Sequence, residues 1–243
     1  MKLPLAPCLT LAVSACVAQP RPWVGATPAS WAELQKGLAR VREARSGAPW
    51  AAAASVTLRE PASGRTVIGR GGIAVAPGRA LRIIVVGVAG VTLLDAWVTP
   101  ERWRMAVPVA GLVRRGGEDA PGDLPIGFLR WWFFTPLEGQ LFAAREGTPD
   151  DSGPTWLLHD HGSVLELREG ACDRGHRLVA SRRACGRVET VDECRKDVVP
   201  AAHDHVRYEQ APGGPALELV LDAISAEPPP AEAFADPDTE LAP

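Results

Sequence analysis

Residues Leu81 to Val98, LRIIVVGVAGVTLLDAWV, hold two apolar runs separated by a Gly-Val-Ala-Gly break at Gly87 to Gly90. Arg82 and Asp95 leave too short an uncharged run for a transmembrane helix, and β-branched residues with two internal glycines disfavour any helix. The stretch predicts a β-hairpin. On its first strand Leu81, Ile83 and Val85 share one face and Ile84 and Val86 the other; on its second, Val91 and Leu93 oppose Leu94, Ala96 and Val98. An antiparallel sheet normally leaves one face to water. A hairpin apolar on both sides needs two covers, and the second is either more protein, as in a sandwich core, or an apolar ligand or lipid.

The start of the chain reads as a secretion signal. Lys2 supplies a positive charge, Leu3 to Val13 an apolar stretch, and Val13-Ser14-Ala15-Cys16 a small-residue ending before a cysteine. That ending resembles a bacterial lipoprotein box, which implies a signal over 1–15, lipidation of Cys16 and a proline-spaced tether over 16–28. An ordinary signal peptide with an incidental Cys16 is the alternative. Acyl chains on Cys16 would hold the chain to a membrane, each buried methylene contributing roughly 0.8 kcal/mol.

The remaining length suits one domain over 29–225, and a net charge of −3 offers no basic field for nucleic acid. Cys172, Cys185 and Cys194 lie beyond the signal and anchor; in an oxidising envelope two of the three can form a disulfide, and the pairing is open.

Ser30 to Arg45 carries a helix signature, with Ser30 and Glu33 as a capping box and Trp31, Leu34, Leu38 and Val41 on one face. Strands are expected over 54–60, 66–76 and 103–107 besides the hairpin. Val109 to Asp123 reads as a Gly- and charge-rich loop. Leu124 to Phe134 reads as a short helix with Pro125 in its first turn, and its five aromatics, Phe128, Trp131, Trp132, Phe133 and Phe134, are too many for one helix side. They either plug one end of a curved sheet or line a cavity.

Further strands are expected at Thr155 to His161, Val164 to Arg168, His205 to Glu209 and Leu217 to Ile224. Between them, 169–200 reads as a polar, Arg-rich excursion holding the three cysteines. The tail, 226–243, is acidic and Pro-rich and is expected to be disordered, with Phe234 as the one residue that could dock.

His159-Asp160-His161 and His203-Asp204-His205 are the patterns that invite a metal, since residues two apart on a strand share a face. Ordinary strand-end residues explain both triplets more simply, and a four-histidine site of His159, His161, His203 and His205 is kept only as an alternative. Ser163 lacks the second glycine of a nucleophile elbow, and Gly69, Gly71 and Gly72 lack the strand-to-helix context of a phosphate loop. The residues offer no catalytic set, and no cofactor is expected.

Arg82-Ile83-Ile84-Val85-Val86, the loop ending Val88-Ala89-Gly90, the strand Thr92 to Val98, and Leu124-Pro125-Ile126 with Leu129, Trp132 and Gly139 resemble the family of the outer-membrane lipoprotein receptor LolB and, more broadly, the LolA-like lipoprotein carriers. The resemblance covers roughly the first half of the mature chain. It implies a mainly β (α+β) fold, a strongly curved antiparallel sheet forming an incomplete barrel, whose concave apolar face is lidded by helices and accepts lipoprotein acyl chains. The expected cavity residues are Ile84, Val86, Leu94, Val98, Leu129, Trp132 and Phe133. The family's protruding leucine corresponds here to Ala89, with Val88 the nearby apolar residue of the insertion loop, and 169–200 has no counterpart in the family.

The function this implies is non-catalytic: an outer-membrane-anchored lipoprotein facing the periplasm that binds acyl chains and takes part in lipoprotein or lipid delivery. A periplasmic LolA-like carrier would be its partner. A structural or interaction lipoprotein with a solidly packed sheet is the reading from a different class.

Overall fold

The computed structural model describes residues 26–45, 47–61, 64–118, 123–134, 137–147, 153–160, 162–184, 186–197 and 200–238. Helix α1 spans Pro28–Glu43. Its cap is Thr27, whose hydroxyl accepts from the Ser30 N–H at 3.2 Å. The expected cap at Ser30 is therefore displaced by one turn, because Pro28 has no N–H to leave unsatisfied in the first turn and its fixed φ already suits a helix. Glu33 pairs with Lys36 instead. Leu34 and Leu38 are buried as their spacing requires, and Trp31 and Val41 pack beside them.

Strands follow as β1 (Trp50–Arg59), β2 (Thr66–Ala76), β3 (Ala80–Val86), β4 (Thr92–Val98), β5 (Trp103–Val107) and β6 (Leu112–Gly116). After α2 (Ile126–Phe133) come β7 (Gln140–Arg145), β8 (Thr155–Asp160), β9 (Ser163–Cys172), β10 (Gly175–Ala184), β11 (Arg187–Arg195), β12 (His205–Ala211) and β13 (Ala216–Ile224). All thirteen form one antiparallel sheet in the order β6-β5-β4-β3-β2-β1-β13-β12-β11-β10-β9-β8-β7. The first and last strands pair in the middle. The sheet does not close: β6 and β7 end it, and the segment containing α2 joins them.

The sheet bends round α2. Phe128 of α2 stacks on Tyr208 of β12 with ring centroids 4.3 Å apart, while the same helix packs on β4. These two strands are five places apart in the sheet, roughly 24 Å if it were flat. Two glycines on the inner face of β2 permit close approach between strands. A Cβ on Gly71 would fall 1.7 Å from the Ile84 carbonyl oxygen, and one on Gly69 would meet Val85 at 2.5 Å, so only glycine lets β2 and β3 come this near.

The organising hairpin forms as β3 and β4, with Leu81 opposite Val98, Ile83 opposite Ala96 and Val85 opposite Leu94. These six side chains make one buried inner face. The register shifts between Val85 and Val86, so Leu93 as well as Leu94 packs against the core, where strict alternation would turn Leu93 outward.

Three expectations are corrected. The loop expected over 109–123 contains β6, and β7 was not anticipated. The excursion expected over 169–200 is part of the sheet: β10 and β11 pair along their whole lengths, with Leu178, Ala180 and Val191 facing the core. Their outward arginines and acids gave the segment its polar look. The tail is likewise folded as far as Asp238, with a 3-10 turn at Ala231–Phe234. Its two aspartates in this stretch are held by arginines, Asp236 by Arg102 and Asp238 by Arg104 and Arg115.

Candidate functional site

The space between the hairpin and α2 is filled. Phe128, Trp131, Trp132, Phe133 and Phe134 are all buried; Phe128 meets Trp131 and Phe133 edge to face, as Trp131 meets Trp132. Leu94, Val98 and Leu129 lie inside this packed core.

Open room lies further along, where the chain leaves α1. A half-open cleft of about 530 Å³ is lined by Trp50, Val75, Pro77, Trp132, Phe133 and Ile224, with Arg45, Arg195 and Glu227 as its charged residues. A second cavity of about 320 Å³ shares both arginines and adds Leu178, Glu193 and residues of α1. Arg45 and Arg195 thus border both spaces.

Arg45 lies two residues past the end of α1, its N–H donating to the Arg42 carbonyl oxygen. Its guanidinium lies over the Trp132 ring, 4.0 Å from the centroid, and pairs with Glu193 of β11. The other Glu193 oxygen lies 2.8 Å from Arg195. The Arg45 and Glu193 side chains are 6% and 2% exposed, so this is a buried ion cluster beside an apolar cleft. Burial pulls the Arg45 pKa down to about 10, with Glu193 opposing the shift; at neutral pH the group stays charged. Arg42 donates to the carbonyls of Leu137 and Gly139 at 3.0 and 2.7 Å, tying α1 to the segment after α2. Trp156 of β8 does the same from the sheet, its indole N–H donating to the Leu34 carbonyl oxygen at 2.8 Å.

The residues expected to share one cavity are divided by the structure. Trp132 and Phe133 line the cleft; Leu94, Val98 and Leu129 are core. Ile84 and Val86 are on the opposite face of β3 by the strand's alternation, Ile84 being 36% exposed. There Ile84 borders a separate space of about 610 Å³ beneath the tail prolines Pro228, Pro229 and Pro230.

At the loop tip Ala89 is exposed and has a left-handed φ of 62°; the Val88 side chain, like Cys16, lies outside the described residues. Cys172 is bonded to Cys194, and Cys185 also lies outside the described residues. The histidine triplets stand on β8 and at β12, with β9, β10 and β11 between them. His159 and His203 are exposed, His205 lies 3.0 Å from Glu218, and His161 is outside the described residues. The structure does not gather His159, His203 and His205. Among the described residues the one group with metal-ligand proximity is Cys172, Asp173 and Cys194, whose sulfurs are already joined.

Arg45, Glu193 and Arg195 were not anticipated. Glu193 did leave a signal, because it shares the inward parity of Val191 on β11 and so is an acid placed among core residues.

No protein-family model matches the chain, and no curated protein does. Among solved structures, a LolA superfamily protein from Nitrosomonas europaea is 11% identical with a TM-score of 0.49, covering 84% of this chain and 97% of its own. A DUF1329 family protein from Desulfovibrio piger is 8% identical (TM-score 0.44, covering 86% and 98%). A putative outer membrane lipoprotein-sorting protein domain from Vibrio parahaemolyticus is 9% identical (TM-score 0.44, covering 83% and 95%). The chain is similar to these three solved structures at low identity.

Proposed function

We propose that this protein is an envelope lipoprotein that shelters acyl chains in the cleft beside α1 and takes part in lipoprotein or lipid delivery, without catalysis. The observation that carries this reading is the cleft itself. Its volume falls within the roughly 300–1,000 Å³ of ligand sites, and aromatic and aliphatic side chains with a few polar and charged groups form its wall. A hydrocarbon chain entering it leaves water, at roughly 0.8 kcal/mol per buried methylene. Chains then pass between this cleft, another carrier and a bilayer according to where they bury more area.

In this reading the open sheet is an incomplete barrel with α1 and α2 as its lids. Cys16 anchors it at the outer membrane facing the periplasm, and a LolA-like carrier is its donor. Native mass spectrometry of the chain purified without detergent tests the proposal: co-purifying lipid supports it. Consistent absence of lipid, with no uptake of a fluorescent fatty acid, overturns it. That second result would favour a structural lipoprotein, the reading to which the solid aromatic packing of α2 lends support.

A further inference from the structure

We propose that Cys172, Asp173 and Cys194, with His205 on the neighbouring strand, form a zinc site that becomes available when the disulfide is reduced. The site lies on the outer face of β11, opposite the inward Val191 and Glu193, and is independent of the cleft and of anything bound there.

The two joined sulfurs face oxygens that a disulfide cannot use. Asp173 Oδ1 lies 3.5 Å from Cys194 Sγ, and the His176 carbonyl oxygen lies 3.4 Å from Cys172 Sγ. Both oxygens are acceptors, and a sulfur within an S–S bond has no proton to donate. In the reduced chain the same contacts become useful: thiols donate to both oxygens, and thiolates together with the Asp173 carboxylate surround a cation.

The spacing suits zinc. One ligand atom from each of Cys172, Asp173 and Cys194 lies within 4.8 Å of the other two. Tetrahedral zinc, with Zn–S of about 2.3 Å and Zn–O of about 2.0 Å, sets sulfur and oxygen about 3.5 Å apart, the separation already present between Cys194 and Asp173. His205 of β12 supplies the fourth ligand. It pairs with Cys194 across the ladder, which puts both side chains on one side of the sheet. Its Nε2 is turned to Glu218 at 3.0 Å, leaving Nδ1 for the metal in the carboxylate–histidine–metal order of such sites. Arg177, the neighbour of Cys194 on β10, is held by Asp192 at 2.9 Å and leaves the three anionic ligands to the ion.

The switch is thiol–disulfide exchange with a dithiol. Two electrons and two protons pass from the dithiol, which closes to its own disulfide, to the Cys172–Cys194 bond, which becomes two thiols. Zinc then displaces both protons to water. Both cysteines are partly exposed and Asp173 is fully so, so reductant and ion reach the bond from solvent. The ion takes over the cross-link between the end of β9 and β11.

The test reduces the chain with a phosphine, which adds no competing thiol, and titrates Zn²⁺ against a chromophoric chelator. Reduced wild-type protein is expected to bind one Zn²⁺ per chain far more tightly than the oxidised protein, and Co²⁺ in its place to give thiolate charge-transfer absorption. Asp173→Asn and His205→Ala are each expected to weaken binding roughly tenfold or more. Cys172→Ser with Cys194→Ser keeps Cys185 and is expected to lose the site. Equal affinity of reduced and oxidised protein overturns the proposal, as does binding by reduced wild type no tighter than by the double variant. Should reduction unfold the chain, Zn²⁺ is expected to restore the fold, and its failure to do so overturns the proposal as well.

Discussion

The indole N–H of Trp97 donates to the carbonyl oxygen of Phe234 at 2.9 Å. This bond joins β4, on its outer face, to the tail. The hairpin's two apolar faces required two covers, and here they are: α2 inside, the C-terminal segment outside. Trp97 is 4% exposed, and beside it Asp95 binds Arg82 and Arg104.

Truncating the chain before Glu227 is therefore expected to expose Trp97 and lower stability by about 2 kcal/mol, the scale of an aromatic side chain's burial. Urea denaturation of full-length and truncated protein measures it. Equal midpoints would mean that the tail contributes nothing.

Acid is expected to release the tail. Hydrogen bonds from Arg115, followed by the charges of Arg115 and Arg104, hold the Asp238 carboxyl below its ordinary pKa. A lowered carboxylate pKa contributes stability at pH above the unfolded value, about 3.9 for Asp, and that contribution is lost as pH falls through the folded one. Hydrogen exchange over 229–238 is expected to quicken below that range, and Asp238→Asn to show the faster exchange already at neutral pH.

Arg45→Ala leaves Glu193 buried with one cation fewer and removes the group stacked on Trp132. A cost of about 3 kcal/mol is expected in chemical denaturation, the scale for breaking a buried ion pair by deleting one partner. A change under about 0.5 kcal/mol would show that the cluster is well solvated.

The disulfide between Cys172 and Cys194 closes a loop with a sequence separation of 22. In the chain-entropy account, its removal by Cys172→Ser with Cys194→Ser costs about 3 kcal/mol. The measurement is the shift in unfolding midpoint, which reductant should reproduce in the wild type.

Much of the sheet was legible. The strands over 66–76 and 103–107 are read directly from their alternation and turns, and the hairpin from its two apolar runs around a glycine break. What hid β10 and β11 was composition: Arg177, Arg183 and Asp192 take outward positions, while Leu178, Ala180 and Val191 keep the period of two beneath them. The site was less legible for a different reason. Arg45 and Glu193 are 148 residues apart, and no local pattern joins a residue just past a helix to an acid on a distant strand. The aromatic segment is visible in the sequence, but all five of its rings are buried, and the open space lies at the exit of α1 instead of at the hairpin.

The most direct test of the account is a titration of a fluorescent fatty acid into wild-type protein and into Ile224→Trp, a substitution that fills the cleft from its wall. Saturable binding of one probe per chain in the wild type is predicted, falling at least roughly tenfold in a variant that unfolds at the same denaturant concentration. Absence of binding, or binding unchanged when the cleft is filled, would contradict it.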